Sequence, residues 1–431
     1  VADLLRRNNG LYLLRSSNGQ DAFDLATELK VHPLLEFAEP DYVISVAPQS
    51  AGSSPRDFVM GTGVTASDSL LPHQWALRNG GSWADARGGV SLQNYWRIPD
   101  LSQRPVVAVV DDGVQPDHPD LAPQLLTPFD VTGSANILEN GFQQYLFNDH
   151  GTRVAGIIAA VADNSFGIAG AAPFARILPI RAFFRPTAST SYRTFRASEL
   201  AAALSYAAER ASVINISWFY NDLKDIQDIT EVLRQMPAKR GGRGVVVVAS
   251  AGNFGSPITF PASLSPEIPG LIAVGATDRS DSVKRCDAAS SCAGDFDWGS
   301  GQGPALDVVA PGVDVLSTYP CAERTAPSCF ARFDGTSAAA PFVSALAAHL
   351  LARNPALTSA EIKSIIRSTS DPLDWRIPNS WSGYGRISIC RAVGGTACNV
   401  SDLAANGILL SSAPTLAPPP RQPGKAPALD D

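Results

Sequence analysis

Short apolar runs alternate with amphipathic segments from about residue 105 onward. The apolar runs cover residues 105–110, 177–180, 213–217, 244–249, 271–276 and 305–310. Runs of this length are typical of strands that are buried on both faces of a sheet. Segments with helical spacing or a high alanine content lie between them, at residues 150–161 and 198–210. The pattern predicts a three-layer α/β fold, in which helices cover both faces of a mainly parallel sheet.

A separate small unit precedes this pattern. Residues 10–15 are predicted to form a strand, residues 21–29 a short amphipathic helix and residues 35–46 a second strand. A unit of about 45 residues buries too little surface to be stable alone, so it must pack on other protein. We therefore predict a small α+β segment at residues 1–48 and a Gly-, Ser- and Pro-rich linker at residues 49–69.

The last part of the chain contains a buried helix and a tail. Residues 342–351 are almost wholly apolar and follow Ser337, and Thr358 with Glu361 predicts a capping box for a further helix. Beyond residue 391 the periodicity fades into a proline-rich stretch. The predicted domains are therefore a main domain at residues 70–395 and a Pro-rich tail at residues 396–431.

Charge and cysteine content narrow the function. The formal net charge is −7, so the basic surface of a nucleic-acid-binding protein is missing, and no apolar run is long enough to span a membrane. The six cysteines form three neighbouring pairs, 286/292, 321/329 and 390/398. Six cysteines allow 15 connectivities, but this spacing favours three local disulfides, with free buried thiols as the alternative. Disulfides indicate an oxidising compartment.

Four polar residues lie at the boundaries of the predicted elements. Asp111 ends the first buried strand, and His150 begins the helix that follows. Asn253 comes just after the strand at residues 244–249, and Ser337 begins the apolar helix. Catalytic groups gather at the carboxyl ends of parallel strands, and the free N–H groups of a helix N-terminus suit a developing oxyanion. The structural alternatives are turn residues for Asp111 and Asn253, a structural histidine and an N-cap serine.

The motifs around these residues resemble those of the subtilisin-like (subtilase) serine proteases. The matching segments are residues 107–114, 118–121, 150–156, 250–253, 309–312 and 335–341, within a resemblance that covers about residues 70–390. The chain order Asp, His, Ser is that of subtilisin. The Asp-Asp-Gly and His-Gly-Thr-Arg motifs are most similar to those of the kexin and proprotein-convertase branch. About 45 residues after Arg386 are too few for the β-rich domain of that branch, so we expect this domain to be missing.

The resemblance implies a secreted or periplasmic serine endopeptidase that cleaves proteins or peptides through an acyl-enzyme. In that scheme Asp111 orients His150, His150 is the general base, Ser337 is the nucleophile and Asn253 donates to the oxyanion. A non-catalytic peptide-binding relative and a peptide ligase on the same triad are the alternatives. We expect a monomer with no nucleic-acid partner.

The resemblance also implies a substrate-binding set, which comprises Ser217, Trp218, Phe219, Ser250, Ala251 and Gly252. The family usually has a glycine in the pocket wall where this chain has aromatic residues. The aromatic bulk predicts a narrowed S1 pocket and a preference for apolar P1 residues. Asp222 and Asp225 are the only nearby acidic residues that could favour a basic P1 residue.

Two further expectations follow from the resemblance. A structural Ca²⁺ site would use Asp120, the backbone carbonyl of Val161 and Asn164, since oxygen ligands from loops suit this ion. Residues 36–43 resemble the last strand of a subtilase propeptide, which chaperones folding and inhibits the enzyme. The sequence predicts only the second half of such a propeptide, with a cleavage site within residues 47–69.

Overall fold

The computed structural model describes residues 2–8, 11–16, 20–32, 35, 37–41, 43–46, 68–77, 88–92, 104–132, 149–183, 193–218, 226–255, 257–286, 298–321 and 328–394. The predicted tail at residues 396–431 and most of the predicted linker lie outside these ranges. Phe219, Asp222 and Asp225 also lie outside the described residues.

The described elements follow the predicted alternation closely in the main domain. The strands are Ala2–Asn8 (β1), Leu11–Ser16 (β2), Val43–Val46 (β3), Val106–Asp111 (β4), Phe129–Asp130 (β5), Arg176–Arg181 (β6), Arg193–Arg196 (β7), Val213–Ile216 (β8), Val246–Ser250 (β9), Leu271–Thr277 (β10), Val308–Pro311 (β11), Val315–Thr318 (β12) and Phe330–Phe333 (β13). The helices are Ala22–Leu29 (α1), His150–Ala159 (α2), Ala197–Ala208 (α3), Gln227–Arg234 (α4), Lys239–Gly242 (α5), Thr336–Arg353 (α6), Ser359–Thr369 (α7) and Ile389–Ala392 (α8).

Seven strands form the central sheet in the order β11-β10-β9-β8-β4-β6-β5. Every neighbouring pair in this sheet is parallel, which confirms the predicted mainly parallel sheet. Because all the strands run the same way, their carboxyl ends share one edge. Strand β4 lies between β8 and β6, where the chain order changes direction, and such switch points are where α/β proteins place their ligands.

Helices cover both faces of this sheet, which confirms the three-layer arrangement. Val107 and Val109 of β4 pack in the cluster that contains the apolar residues of α2 and α6. Ala108 and Val110 face the other way, into the cluster formed with α3 and α4. Helix α6 is buried from Thr336 to Leu351, which explains why its sequence has no polar face.

The N-terminal segment differs in part from the prediction. Strand β1 was not predicted and pairs antiparallel with β2, and the predicted strand at residues 35–46 is shortened to β3. Strand β3 pairs antiparallel with β7 in a separate two-stranded sheet, and only the tertiary structure supplies this distant partner. Helix α4 was not predicted, although its buried residues Ile229, Val232 and Leu233 have the spacing of an amphipathic helix.

Disulfides are present in the described part of the chain. Cys321 and Cys329 are bonded to each other, which confirms one predicted local pair. Cys286 and Cys390 are also disulfide-bonded, whereas Cys292 and Cys398 lie outside the described residues. None of the helices within the described ranges has both the length and the apolar character that a membrane span requires.

Candidate active site

Asp111 and His150 meet at the carboxyl edge of the sheet. The Nδ1 atom of His150 lies 2.8 Å from Oδ1 and 2.9 Å from Oδ2 of Asp111. Asp111 is 2% exposed and His150 5% exposed, so the contact is shielded from water. The edge of the Phe333 ring packs against the imidazole at a centroid distance of 5.3 Å. The imidazole is therefore held on two sides, with its Nδ1 facing the carboxylate.

The local sequence explains how helix α2 brings His150 to this position. Asp112 accepts a 2.8 Å hydrogen bond from the Gly151 N–H in the first turn of α2, which stabilises the positive end of the helix dipole. A Cβ atom at Gly151 would lie 2.3 Å from the carbonyl oxygen of Gly113. Glycine at 151 thus permits the close approach of α2 to the end of β4.

Ser337 lies in the first turn of α6, as the sequence predicted. The residue before the helix, Gly335, has a φ angle of +123°, a left-handed value that favours glycine. The Ser337 hydroxyl donates a 2.8 Å hydrogen bond to the carbonyl oxygen of Ser217, which directly follows β8. The Nε2 atom of His150 is buried and has no hydrogen-bond partner among the described residues.

Asn253 is fixed beside the same helix end. Its Oδ1 atom accepts hydrogen bonds from the N–H and the hydroxyl of Thr336, at 2.9 Å and 2.8 Å. Its Nδ2 atom is buried and has no partner in the part of the chain that the structure describes. An ideal Cβ atom at Gly335 would lie 3.0 Å from this Nδ2 and 3.6 Å from the Ser337 nitrogen. The amide donor and the start of α6 thus flank the same small space.

The sequence of this chain matches known proteins. A family model described as "Subtilase family" matches residues 102–385, more than half of the chain. The chain belongs to the subtilase family. It is 32% identical over 368 residues to a thermophilic serine proteinase of Bacillus sp. (strain AK1), a match that covers 85% of this chain and 74% of that protein. It is 33% identical over 289 residues to thermitase of Thermoactinomyces vulgaris, which covers 67% of this chain and 88% of thermitase.

Solved structures agree with this assignment. A protease from Pseudoalteromonas arctica aligns with a TM-score of 0.59 at 25% identity, over 77% of this chain and 99% of that chain. Fervidolysin from Fervidobacterium pennivorans, a keratinolytic enzyme related to subtilisin, aligns with a TM-score of 0.64 over 92% of this chain and 58% of its own. At 24% identity, the latter supports the fold alone. Together the comparisons identify this subtilase as a subtilisin-like serine endopeptidase.

The predicted substrate-binding residues of the subtilase fall into two groups. Ser217, Ser250, Ala251 and Gly252 are buried at the carboxyl edge, and the Gly252 N–H donates to the Thr336 hydroxyl at 3.2 Å. Trp218 instead lies in the core, where its Nε1 donates to the carbonyl of Val110 at 3.1 Å and its ring packs on Phe183 and Phe195. Core packing therefore accounts for the size of Trp218.

The predicted calcium ligands come close together but are arranged differently from the expectation. The Asp120 carboxylate is fully buried and accepts from the Ile168 N–H and from Nδ2 of Asn164. Asn164 thus donates to Asp120, and its own Oδ1 accepts from the Phe166 N–H, so it presents no oxygen toward Asp120. Val161 donates its N–H to the Asp120 carbonyl at 2.9 Å.

A second buried carboxylate lies near Asp120. Asp68 is 2% exposed and accepts from the N–H groups of Asp163 and Asn164. Burial raises the pKa of Asp120 to about 7, and the negative charge of Asp68 adds to this rise. Two buried carboxylates whose hydrogen bonds from the described residues all come from neutral N–H groups fit a cation of the Ca²⁺ class. Asp68 was not predicted, because it lies in a linker-like stretch with no motif.

Thr336, Asn215 and Ser344 also contribute to the site and were not predicted. The Thr336 hydroxyl donates a hydrogen bond to the Asn253 amide. In the sequence, only its position next to Ser337 indicated a role at the site. Asn215 is a polar residue inside the apolar strand β8, and Ser344 interrupts the apolar helix α6. Polar residues in otherwise apolar buried elements are the pattern that could have drawn attention to both.

Proposed function

We propose that this subtilase hydrolyses peptide bonds through an acyl-enzyme formed on Ser337. The observation that carries the proposal is the state of His150, whose Nδ1 is bonded to Asp111 while Nε2 is buried without a hydrogen-bond partner among the described residues. An imidazole held in this way has its second nitrogen available to take a proton.

The steps follow from the positions of the groups. The Ser337 hydroxyl turns from the Ser217 carbonyl toward His150, transfers its proton to Nε2 and attacks the substrate carbonyl carbon. The oxyanion accepts hydrogen bonds from Asn253 Nδ2 and the Ser337 N–H. His150 then protonates the leaving amine, and water attacks the acyl-enzyme in a second round of the same proton transfers.

Labelling with a fluorophosphonate probe tests this proposal. The parent protein should be labelled at Ser337 and should cleave a peptide pool, whereas Ser337→Ala should do neither. The matched control is Ser370→Ala, which removes another buried serine hydroxyl, one that donates to the Ile366 carbonyl at the end of α7. A folded parent that binds peptides without labelling or cleavage would instead be a non-catalytic relative. Transfer of the acyl group to an added amine, in preference to water, would identify a ligase.

The N-terminal segment is proposed to act as a propeptide-like inhibitor and folding aid. Two carboxylates support its docking on the main domain, which this role requires. Asp41 accepts from the N–H and hydroxyl of Ser198 at the start of α3, and Glu39 accepts from the Asp228 N–H at the start of α4. These bonds, with the β3–β7 pairing, fasten the segment to the main domain. Maturation would cut within residues 47–69, and active enzyme that still began at Val1 would contradict it.

Calcium is proposed as a structural ion. The carboxylates of Asp120 and Asp68 would hold it, with the Val161 carbonyl as a predicted further ligand. The bound ion would supply positive charge to two buried acids and link the loop after α2 to the start of the main domain. The Asp68 side chain also anchors this loop directly, because it accepts hydrogen bonds from the N–H groups of residues 163 and 164.

Location and specificity complete the proposal. The disulfide at Cys321 and Cys329 supports a secreted or periplasmic enzyme, and we keep the expectation of a monomer. The His-Gly-Thr-Arg motif supports membership of a branch close to the kexins. We nevertheless propose that the enzyme prefers substrates with apolar P1 residues to substrates with basic ones. Profiling with a random peptide pool tests this specificity, and a strong preference for Arg or Lys at P1 would overturn it.

A further inference from the structure

A chain of buried hydrogen bonds connects the interior of the protein to the backbone of Ser337. The Ser344 hydroxyl donates to Oδ1 of Asn215 at 2.8 Å. Nδ2 of Asn215 donates to the Ser217 hydroxyl oxygen at 2.8 Å. The Ser217 hydroxyl in turn donates to the carbonyl oxygen of Ser337 at 3.0 Å. All four residues are 0% exposed.

The last bond in this chain compensates for a proline. In an α-helix the carbonyl of residue 337 accepts from the N–H of residue 341. Residue 341 is Pro341, which lies inside α6 and has no N–H. The Ser217 hydroxyl supplies the donor that Pro341 lacks, so the carbonyl of Ser337 is satisfied from outside the helix.

The direction of the chain is fixed at the Ser337 end, because a carbonyl oxygen can only accept a hydrogen bond. The Ser217 hydroxyl must donate to it, so the NH₂ group of Asn215 faces Ser217 and its Oδ1 faces Ser344, whose hydroxyl donates to it. The Ser217 hydroxyl oxygen then accepts from that NH₂, and its own proton is directed to the Ser337 carbonyl. An apolar residue could fill the same position in β8, between Ile214 and Ile216, but it would have no NH₂ group to orient the Ser217 hydroxyl.

Ser217 and Ser337 are bonded reciprocally. The Ser337 hydroxyl donates to the Ser217 carbonyl, while the Ser217 hydroxyl donates to the Ser337 carbonyl. During the reaction the first bond must break, because the Ser337 hydroxyl turns to His150. The second bond can persist and hold the backbone of the nucleophile in place while its side chain moves.

We propose that Asn215 is a positioning residue, which, together with Ser344, directs the Ser217 hydroxyl onto the carbonyl of Ser337 and so fixes the nucleophile for attack. The inference rests on the proposed function of Ser337. Asn215 touches neither the substrate nor the reacting atoms and acts through Ser217. Loss of the chain should therefore lower the rate of acylation and leave substrate binding unchanged.

Kinetics of Asn215→Leu test this role. We expect kcat and the fluorophosphonate labelling rate to fall together by about 10- to 100-fold, which is the rate effect of losing one buried hydrogen bond in the transition state. KM should stay within about twofold of the parent value. Ser344→Ala removes only the first bond, and we expect a fall of about 3- to 10-fold. The control Ser370→Ala loses a buried serine hydrogen bond elsewhere and should leave kcat unchanged.

Asn215→Asp gives a second readout, and it serves if Asn215→Leu does not fold. A protonated aspartic acid can donate to Ser217 as the amide does, whereas the ionised carboxylate can only accept and reverses the bond. The pH profile of kcat should therefore gain one ionisation that the parent lacks, with activity lost on its alkaline side. A profile that matches the parent, or parent-like kcat in folded Asn215→Leu, overturns the inference. Activity that survives Ser337→Ala would refute the proposed function instead.

Discussion

The amide of Asn253 and the hydroxyl of Thr336 form a 2.8 Å hydrogen bond in which Asn253 is the acceptor. This bond and the parallel one from the Thr336 N–H occupy Oδ1 of the amide. The amide is therefore oriented with its oxygen toward the first residue of α6 and its NH₂ group beside Gly335, 3.0 Å from the ideal Cβ position of that glycine. A donor whose direction is set before the substrate arrives needs no reorganisation when negative charge develops on the substrate oxygen.

We predict that Asn253→Leu lowers kcat on the order of 10²–10³, the size known for subtilisin when its equivalent amide is removed. KM should change little, because the oxyanion exists only in the transition state. Thr336→Val removes one of the two bonds that orient the amide, and we expect a loss of about 10-fold. Steady-state kinetics on one peptide substrate measure both, and a rise in KM with kcat unchanged would contradict the oxyanion role.

Replacement of Asp111 should affect the tautomer of His150. Asp111→Asn keeps the shape of the side chain but offers an NH₂ group to Nδ1, which favours the proton on Nε2 and removes the base from Ser337. We expect kcat to fall by about 10⁴, the size measured for such changes in other triad proteases. Thermal unfolding should show that the variant remains folded. Activity within tenfold of the parent would show that the 2.8 Å contact between Asp111 and His150 has no catalytic role.

Calcium should stabilise the folded protein if Asp120 and Asp68 hold it. The experiment uses Ser337→Ala to prevent self-digestion and compares the Tm in excess Ca²⁺ with that in a chelator. Free Ca²⁺ at 100 times its Kd stabilises the folded state by about 2.7 kcal/mol. Asp120→Asn should remove this response, and Glu267→Gln, a change at an exposed acid, should keep it. A Tm that the chelator does not alter in the parent would count against the ion.

Docking of the N-terminal segment should weaken as the pH rises through about 7. Burial raises the pKa of Asp228 to about 7, and the charges of Glu39 and Asp41 add to the rise. Undocking returns this pKa toward its ordinary value, so the docked state binds the proton more tightly and is favoured below pH 7. Above pH 7 the ionised Asp228 faces both acids, and Lys30 offsets only part of the charge on Glu39.

Hydrogen exchange of the β3 amides in full-length Ser337→Ala measures this dependence. After correction for the intrinsic exchange rate, protection should fall by about tenfold or more between pH 5.5 and pH 8. Asp228→Asn cannot ionise, so it should keep most of the protection at pH 8. Protection that grows with pH in Ser337→Ala would contradict the proposal that ionised Asp228 weakens docking. The full pH dependence in Asp228→Asn would contradict it as well.

The sequence by itself determined the elements that carry the chemistry. Continuous apolar runs indicate buried strands, because both faces of such a strand must be covered by other layers of the protein. This pattern identified β4, β8, β9 and β10 to within a few residues. Asp111 and Asn253 were found because polar residues after such runs mark the edge of the sheet, and His150 and Ser337 were found at the starts of predicted helices. Family motifs then assigned their expected roles.

The tertiary structure alone decided how the side chains are paired. Trp218 follows a strand in the sequence, but only the packing of Phe183 and Phe195 shows that its ring belongs to the core. Asn215 and Ser344 are 129 positions apart, and no local pattern relates them. Hydrogen bonds between distant segments depend on how layers stack and which way each side chain turns. Periodicity along one segment carries no information about either, so these relationships emerge only once the chain is folded.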